Sequence, residues 1–201
     1  MKKRFLKKMR ALISKQYPDY SNDKLDEIMY GIEGIYLTIT KCIVIFTIAI
    51  ILGIIKEMLL LLLTYNFIRL FAFGMHANKS WICLVFSSSI FILGTYLCKY
   101  VSINDYLLYL LYLVVLIIVI IYAPADTVKR PLIKKKKRNI FKLLSVLVVT
   151  LYFILSLVID NNLIKNCLII GLIIECILIN PLTYKIFNMP YNNYKKYGLN
   201  T

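Results

Sequence analysis

Between Ile35 and Leu182 the chain alternates long apolar runs with short polar breaks. The runs cover Ile35–Ile55, Met58–Phe73, Trp81–Leu97, Leu107–Ala123, Leu143–Ile159 and Leu163–Leu182, each 16–21 residues long. A helix rising 1.5 Å per residue needs about 20 residues to cross about 30 Å of hydrocarbon. The pattern predicts an all-α, polytopic membrane protein with about six transmembrane helices. Met58–Phe73, which ends around the charged Arg69, is the most marginal of them.

Ahead of the first run the pattern changes. Phe5, Leu6, Met9, Leu12 and Ile13 recur at helical spacing among Lys2, Lys3, Arg4, Lys7 and Lys8. A signal peptide would follow its charges with a continuous apolar stretch and a small-residue cleavage site. The spacing instead predicts an amphipathic helix, lying on an anionic membrane surface or packed on the protein's own loops. The expected organisation is a basic cytoplasmic arm over residues 1–34, a helical membrane domain over 35–182 with an inner basic loop at 124–142, and a cytoplasmic tail over 183–201.

Composition sharpens the picture. Hydrophobic residues make up 60% of the 201, charged ones 17%, and mean hydropathy is +0.74. A soluble domain carries about 25% charged residues, so a water-soluble enzyme and a disordered chain are both excluded. The charges are lopsided, with 25 Lys and Arg against 10 Asp and Glu. Six crossings with the N-terminus inside put twenty of those 25 in the arm, the Gly74–Ser80 loop, the Pro124–Lys142 loop and the tail. The three outer breaks hold one each, Lys56, Lys99 and Lys165, each near an acid (Glu57, Asp105 and Asp160). This sorting is what the positive-inside rule demands, and it predicts that both termini are cytoplasmic. The block Lys134, Lys135, Lys136, Lys137 and Arg138 reads either as a topology anchor or as a docking surface for something acidic. Anionic lipid is an expected partner; nucleic acid is not, because no basic surface interleaved with aromatics stands out.

The inventory of chemistry is short. Five cysteines with no CxxC pattern, mostly inside apolar runs, argue against a disulfide framework or zinc site. A single histidine rules out histidine-rich metal centres, and no phosphate-binding glycine loop occurs; no metal or cofactor is expected. Cys42, Cys98, Cys167 and Cys176 read as small buried apolar residues. Cys83 differs, because it sits at a predicted membrane boundary seven residues after His76, the one histidine. On one continuous helix the two would be about 10.5 Å apart along the axis, too far to exchange a proton. If Ser80 caps the third helix, Cys83 falls at its third position, where the helix dipole stabilises a thiolate. Gly74 would let the preceding loop fold back and bring His76 to the thiol, an arrangement for covalent catalysis. Arg69, one or two turns earlier, is a candidate to hold a substrate carboxylate or carbonyl, or else snorkels to headgroups. Glu175 and Lys41, the other charges inside runs, either pair with each other or snorkel. Ser87–Ser89 lacks the GxSxG context of a serine hydrolase and fits helix packing.

Arg69, Gly74-Met75-His76-Ala77 with Cys83, the Tyr122-Ala123-Pro124 loop and the basic run after it resemble the AgrB (accessory gene regulator B) family of Gram-positive bacteria. The resemblance extends over nearly the whole chain. One departure is Phe73, where the family often has a second glycine. The resemblance implies a membrane cysteine endopeptidase that matures an AgrD-type quorum-sensing pro-peptide. It implies that Cys83, activated by His76, cuts off an acidic C-terminal tail and keeps the peptide as a thioester. A cysteine or serine of the peptide then closes a thiolactone or lactone ring. Arg69, Gly74 and the Lys134–Arg138 block would contact the pro-peptide, and a homodimer is part of what the resemblance implies. From the residues alone, a six-span transporter or exporter subunit is the competing reading, with Arg69, Glu175 and Lys41 lining its path.

Overall fold

The apolar runs fold into helices. The computed structural model describes residues 2–75, 80–127 and 131–197. In order the helices are α1 (Lys2–Gln16), α2 (Asn22–Ile51), α3 (Ile55–Ala72), α4 (Ser80–Tyr100), α5 (Asp105–Tyr122), α6 (Lys135–Val158), α7 (Asn162–Ile179) and the short α8 (Pro181–Ile186), followed by a 3₁₀ turn over Asn193–Tyr197. The described residues hold no strand; an isolated backbone bridge joins Phe73 to Ala125. The protein is therefore all-α. Its helices expose rows of large apolar residues, such as Leu143, Leu147, Leu151 and Ile154 on α6. A monomeric soluble protein rarely shows contiguous apolar surface on this scale. Five helices, α2, α4, α5, α6 and α7, are long and apolar enough to cross a membrane, and the chain is a multi-pass membrane protein.

The chain divides into two compact units, Met1–Thr47 and Ile48–Thr201. In the first, α1 runs antiparallel to the start of α2. Lys2 Nζ meets Glu33 Oε1 at 2.6 Å, Arg10 meets Asp26 at 2.6 Å, and the Phe5 and Tyr36 rings stack at 5.1 Å. The expected amphipathic helix thus lies against another helix of its own chain, while Phe5 and Leu12 stay exposed. The expected boundary between arm and membrane domain, at 34/35, falls inside α2. Helix propagation continues across a change in polarity as long as no breaker interrupts it, and none does until the Leu52–Gly53 turn.

In the second unit α7 is the axis. It packs on α3, α4, α5, α6 and α8, and eleven of its 18 residues are buried, which suits a helix that is apolar all round. Buried polar groups tie the layers together. The Thr64 hydroxyl of α3 donates to the Cys167 carbonyl of α7 at 3.0 Å, Tyr152 of α6 donates to the Thr64 carbonyl at 2.9 Å, and Tyr112 of α5 donates to the Tyr152 carbonyl at 3.1 Å. Gly171 lets α7 approach α3, because a Cβ there would meet Thr64 Oγ1 at 2.8 Å and the Tyr65 nitrogen at 3.2 Å. Small residues at helix contacts serve this purpose in membranes. Gly171→Val is expected to destabilise the bundle by about 1–3 kcal/mol through overpacking. Thermal unfolding in detergent reads this, and an unchanged midpoint would rule out so close an approach.

α3 has the length of α5 and α7 but carries Lys56, Glu57 and Arg69, which is why it reads as the weakest span. It nevertheless traverses the bundle. At its start, Lys99 from the end of α4 reaches the Gly53 carbonyl at 3.0 Å and Glu57 at 3.2 Å. At the same end Lys165 pairs with Asp105 at 3.5 Å, and the Asn166 amide donates to the Cys98 and Val101 carbonyls. The expected local lysine–acid neighbours are thus exchanged between loops, with Lys99 on Glu57 and Lys165 on Asp105. At the far end of α3, residues 72–75 meet the segment after α5 and the end of α7. Helices α3, α5 and α7 therefore run one way and α4 the other.

Two further boundaries differ from expectation. Lys135–Lys142 is not loop but the start of α6, eight residues ahead of the expected Leu143. A helix does not need an apolar first turn when that turn projects beyond the apolar layer. The last apolar run breaks at Asn180, whose side chain accepts from the Leu182 amide and restarts the chain as α8 with Pro181 in its first turn.

Candidate active site

The end of the bundle where α3 stops is built by backbone pairing. α3 closes at Ala72, and Phe73 takes φ 60°, a region that favours glycine and costs other residues about 1–3 kcal/mol. This is the position at which the resemblance leads one to expect a glycine. The strain is held by neighbours: the Ala125 amide donates to the Ala72 carbonyl at 2.9 Å and the Gly74 amide donates to the Ala125 carbonyl at 2.9 Å. The Phe73 ring also packs edge-on against Phe141 of α6 at 4.9 Å. The Tyr122-Ala123-Pro124 loop, with a cis peptide before Pro124, is thereby docked on the Gly74 segment. Next, the Met75 amide donates to the Leu178 carbonyl of α7 at 3.1 Å.

Arg69, in the last turn of α3, faces inward. Its Nη1 lies 3.3 and 3.5 Å from the two carboxylate oxygens of Glu175 on α7, and its Nη2 donates to the Gly74 carbonyl at 3.2 Å and the Met75 carbonyl at 2.9 Å. Glu175 is fully buried and the Arg69 side chain is 15% exposed. Charges in an apolar interior persist only when paired, and here each answers the other. The alternatives drawn from sequence, Glu175 with Lys41 or snorkelling, give way to this pair. Two opposite charges in separate apolar runs were the available signal; what the runs do not reveal is which helices are neighbours. Gly74, at φ 105°, lies so close beneath the guanidinium that a Cβ would overlap Arg69 Nη1.

Cys83 is the fourth residue of α4, which begins at Ser80 rather than after it, so the thiol sits at the end of the first turn instead of the third position. The Ser87 hydroxyl, one turn on, donates to the Cys83 carbonyl at 2.6 Å. Of the four cysteines in this unit only Cys83 is partly exposed; Cys98, Cys167 and Cys176 are buried, and Cys42 of the other unit is half-buried. The thiol lies within electrostatic reach of Tyr65, as do Arg69 and Glu175, and Arg69 stands 6.0 Å over the Tyr65 ring. Arg69 thus joins the Gly74 segment and the end of α7 to Tyr65, the residue whose electrostatic surroundings include Cys83. His76, the proposed base, lies outside the described residues.

The third contributor was not expected. Asp126, buried, accepts from the Asn193 amide at 2.9 Å and the Tyr194 amide at 2.7 Å, which fixes the 3₁₀ turn of the tail. Tyr184 of α8 donates to the Asp126 carbonyl at 2.9 Å; burial first, and the nearby Asp126, push its phenol pKa up, so it remains a donor. An acid two residues after a loop proline carries no sequence signal of this kind. The basic block behaves differently from a loop. Lys134–Lys137 are exposed, Lys135–Arg138 begin α6, and Arg138 stacks on the Tyr194 ring at 3.7 Å. Four cations at the positive end of a helix repel its dipole, so an anion from outside would be welcome there. Among the described residues no group of His, Cys, Asp and Glu could hold a metal ion.

The chain is similar to known proteins over most of its length. The family model for AgrB, Accessory gene regulator B, matches residues 6–179. An AgrB-like protein of Clostridium acetobutylicum is 36% identical over 174 residues, 87% of this chain and 83% of the relative. One of Listeria monocytogenes serotype 4a is 30% identical over 93% of this chain and 92% of its own. The Accessory gene regulator protein B of Staphylococcus saprophyticus is 32% identical over 81% of this chain and 87% of its own. No solved structure matches.

Proposed function

Because the chain belongs to the accessory gene regulator B family, we propose that it is a membrane cysteine endopeptidase that trims and cyclises an AgrD-like pro-peptide in quorum sensing. The observation that carries this reading is the setting of Cys83, the one partly exposed thiol of the bundle, in the first turn of α4 within electrostatic reach of Tyr65, the ring over which Arg69 stands. His76 takes the Cys83 proton. The thiolate attacks the carbonyl carbon of the scissile bond, and the imidazolium returns the proton to the leaving amine as the bond breaks. The acidic tail departs and the peptide stays on Cys83 as a thioester. A thiol or hydroxyl of the same peptide attacks that carbonyl, its proton passes to the Cys83 sulfur, and a thiolactone or lactone leaves. Thioester exchange preserves acyl activation that hydrolysis would waste, so a site bordering lipid that limits water favours the ring.

The charge distribution supports a partner and an orientation. With both termini in the cytoplasm the arm, the start of α6 and the tail form the basic side. Anionic lipid and the acidic tail of the pro-peptide would meet Lys134–Lys137 and the half-buried Arg138 there, at a helix end whose first turn holds no acid.

The test is to trap the acyl-enzyme. Protein in lipid nanodiscs is mixed with a synthetic pro-peptide carrying an amphipathic leader, an internal cysteine and an acidic tail, then quenched in acid. Intact-mass measurement is expected to find tail-less peptide on the protein, mapped to Cys83 and released by neutral hydroxylamine. A pro-peptide variant without its internal nucleophile should increase the adduct. Cleavage with no hydroxylamine-labile adduct under either condition would overturn the thioester route.

A further inference from the structure

We propose that Glu175 is a positioning residue of this peptidase: through Arg69 it holds the Gly74–Met75 segment from which the chain continues to His76. The inference rests on the peptidase reading above and adds to it a residue that never meets substrate.

The four backbone polar groups of Gly74 and Met75 are all engaged. The two amides donate to Ala125 and Leu178, and the two carbonyls accept from one nitrogen, Arg69 Nη2. Leu178 and Glu175 are one turn apart on α7, so the same helix grips the segment twice, directly through a carbonyl and indirectly through the guanidinium. The fork of Arg69 is divided between two tasks, one nitrogen on the carboxylate and the other on the loop. A planar guanidinium fixed at one nitrogen has little freedom at the other. Gly74 completes the arrangement, because the guanidinium occupies the space a Cβ would need.

Removing the carboxylate changes where the guanidinium is most stable. Facing only carbonyl dipoles in an apolar interior, Arg69 gains by extending toward headgroups and water. The Gly74 and Met75 carbonyls then lose their donor, and the segment loses one of its two ties to α7. Had Arg69 served chiefly as a grip on substrate, loss of Glu175 would free it for that role and act on KM. As a positioning device the pair acts on kcat.

The experiment compares full-length wild type, Glu175→Gln, Glu175→Asp, Arg69→Lys and Cys83→Ala in nanodiscs, cleaving the same synthetic pro-peptide, with thermal midpoints measured alongside. Glu175→Gln is expected to lower kcat roughly 10- to 100-fold with KM within about twofold, the size of effect that a misplacement near 1 Å produces. Glu175→Asp should recover most of the rate, and Arg69→Lys, which keeps the charge pair but not the fork, should lose kcat while staying folded. Should Glu175→Gln fail to fold, the Asp and Lys variants carry the comparison. Wild-type kcat in Glu175→Gln, a loss confined to KM, or no recovery with Glu175→Asp would each overturn the assignment. Cleavage persisting in Cys83→Ala overturns the peptidase reading itself and this inference with it, whereas a dead Cys83→Ala beside a fully active Glu175→Gln overturns the inference alone.

Discussion

Cys83→Ala and His76→Ala are each expected to abolish release of the pro-peptide tail, a loss of at least about 10⁴-fold in kcat, in protein that still inserts and unfolds at the wild-type temperature. Triad and dyad members act as a unit, so removing either partner costs nearly as much as removing both. The double variant should therefore be no slower than the worse single one. The physical reason is specific to each residue. Without the Cys83 sulfur no thioester forms, and no other thiol of the bundle stands in, because Cys98, Cys167 and Cys176 are buried. Without His76 the thiol keeps its proton and the amine leaves unprotonated. Rates followed by mass spectrometry of the released tail decide the matter. A transporter would be indifferent to both changes, so retained cleavage or an intact phenotype in either variant would sink the enzyme reading.

The second large effect is expected at a residue with no chemistry. Gly74→Ala should reduce cleavage about 100-fold or more, comparable to a 1 Å displacement of reacting groups, and should also lower the thermal midpoint. Its φ of 105° disfavours any side chain, a cost of about 1–3 kcal/mol. The larger consequence is steric. The new Cβ would occupy the position of Arg69 Nη1, with the Leu178 carbonyl 3.1 Å away on another side. The guanidinium has to withdraw, taking with it the hydrogen bonds to Gly74 and Met75 and leaving Glu175 buried without its counter-charge. Breaking one side of a buried pair costs about 3–5 kcal/mol, which is a large part of a domain's stability. Thermal melts and single-turnover cleavage measured on one preparation test both halves. Near-wild-type activity in Gly74→Ala would mean that the guanidinium does not rest on this glycine.

Both effects arise at one end of one bundle, and they differ in how far the chain itself foretells them. Cys83 stands out in the linear order by its place at a membrane boundary and its distance from the lone histidine. Gly74 stands out as the glycine that frees the loop ahead of His76, but nothing in the linear order says what lies against it. Its reason for being glycine is the guanidinium of Arg69, five residues earlier, turned inward by a carboxylate 106 residues later. Asp126 was not foreseen because its task is to accept from two tail amides 67 and 68 residues away. The helical start of α6 was misjudged for another reason. Hydropathy reports where a helix enters lipid, and backbone hydrogen bonds are indifferent to that boundary, so Lys135–Lys142 continue the helix beyond it.

What the linear chain determined is whatever depends on transfer from water to lipid: the all-α class, the six runs and the uneven spread of charge. Those follow from local composition, since each residue's transfer free energy is set mainly by its own side chain. Tertiary structure alone decided which charges neutralise one another, which loops pair backbone to backbone, and why Phe73 and Gly74 adopt left-handed conformations. Such choices depend on distances between helices far apart in the chain, and in a low-dielectric interior those distances decide whether an ionised group is tolerated or ruinous.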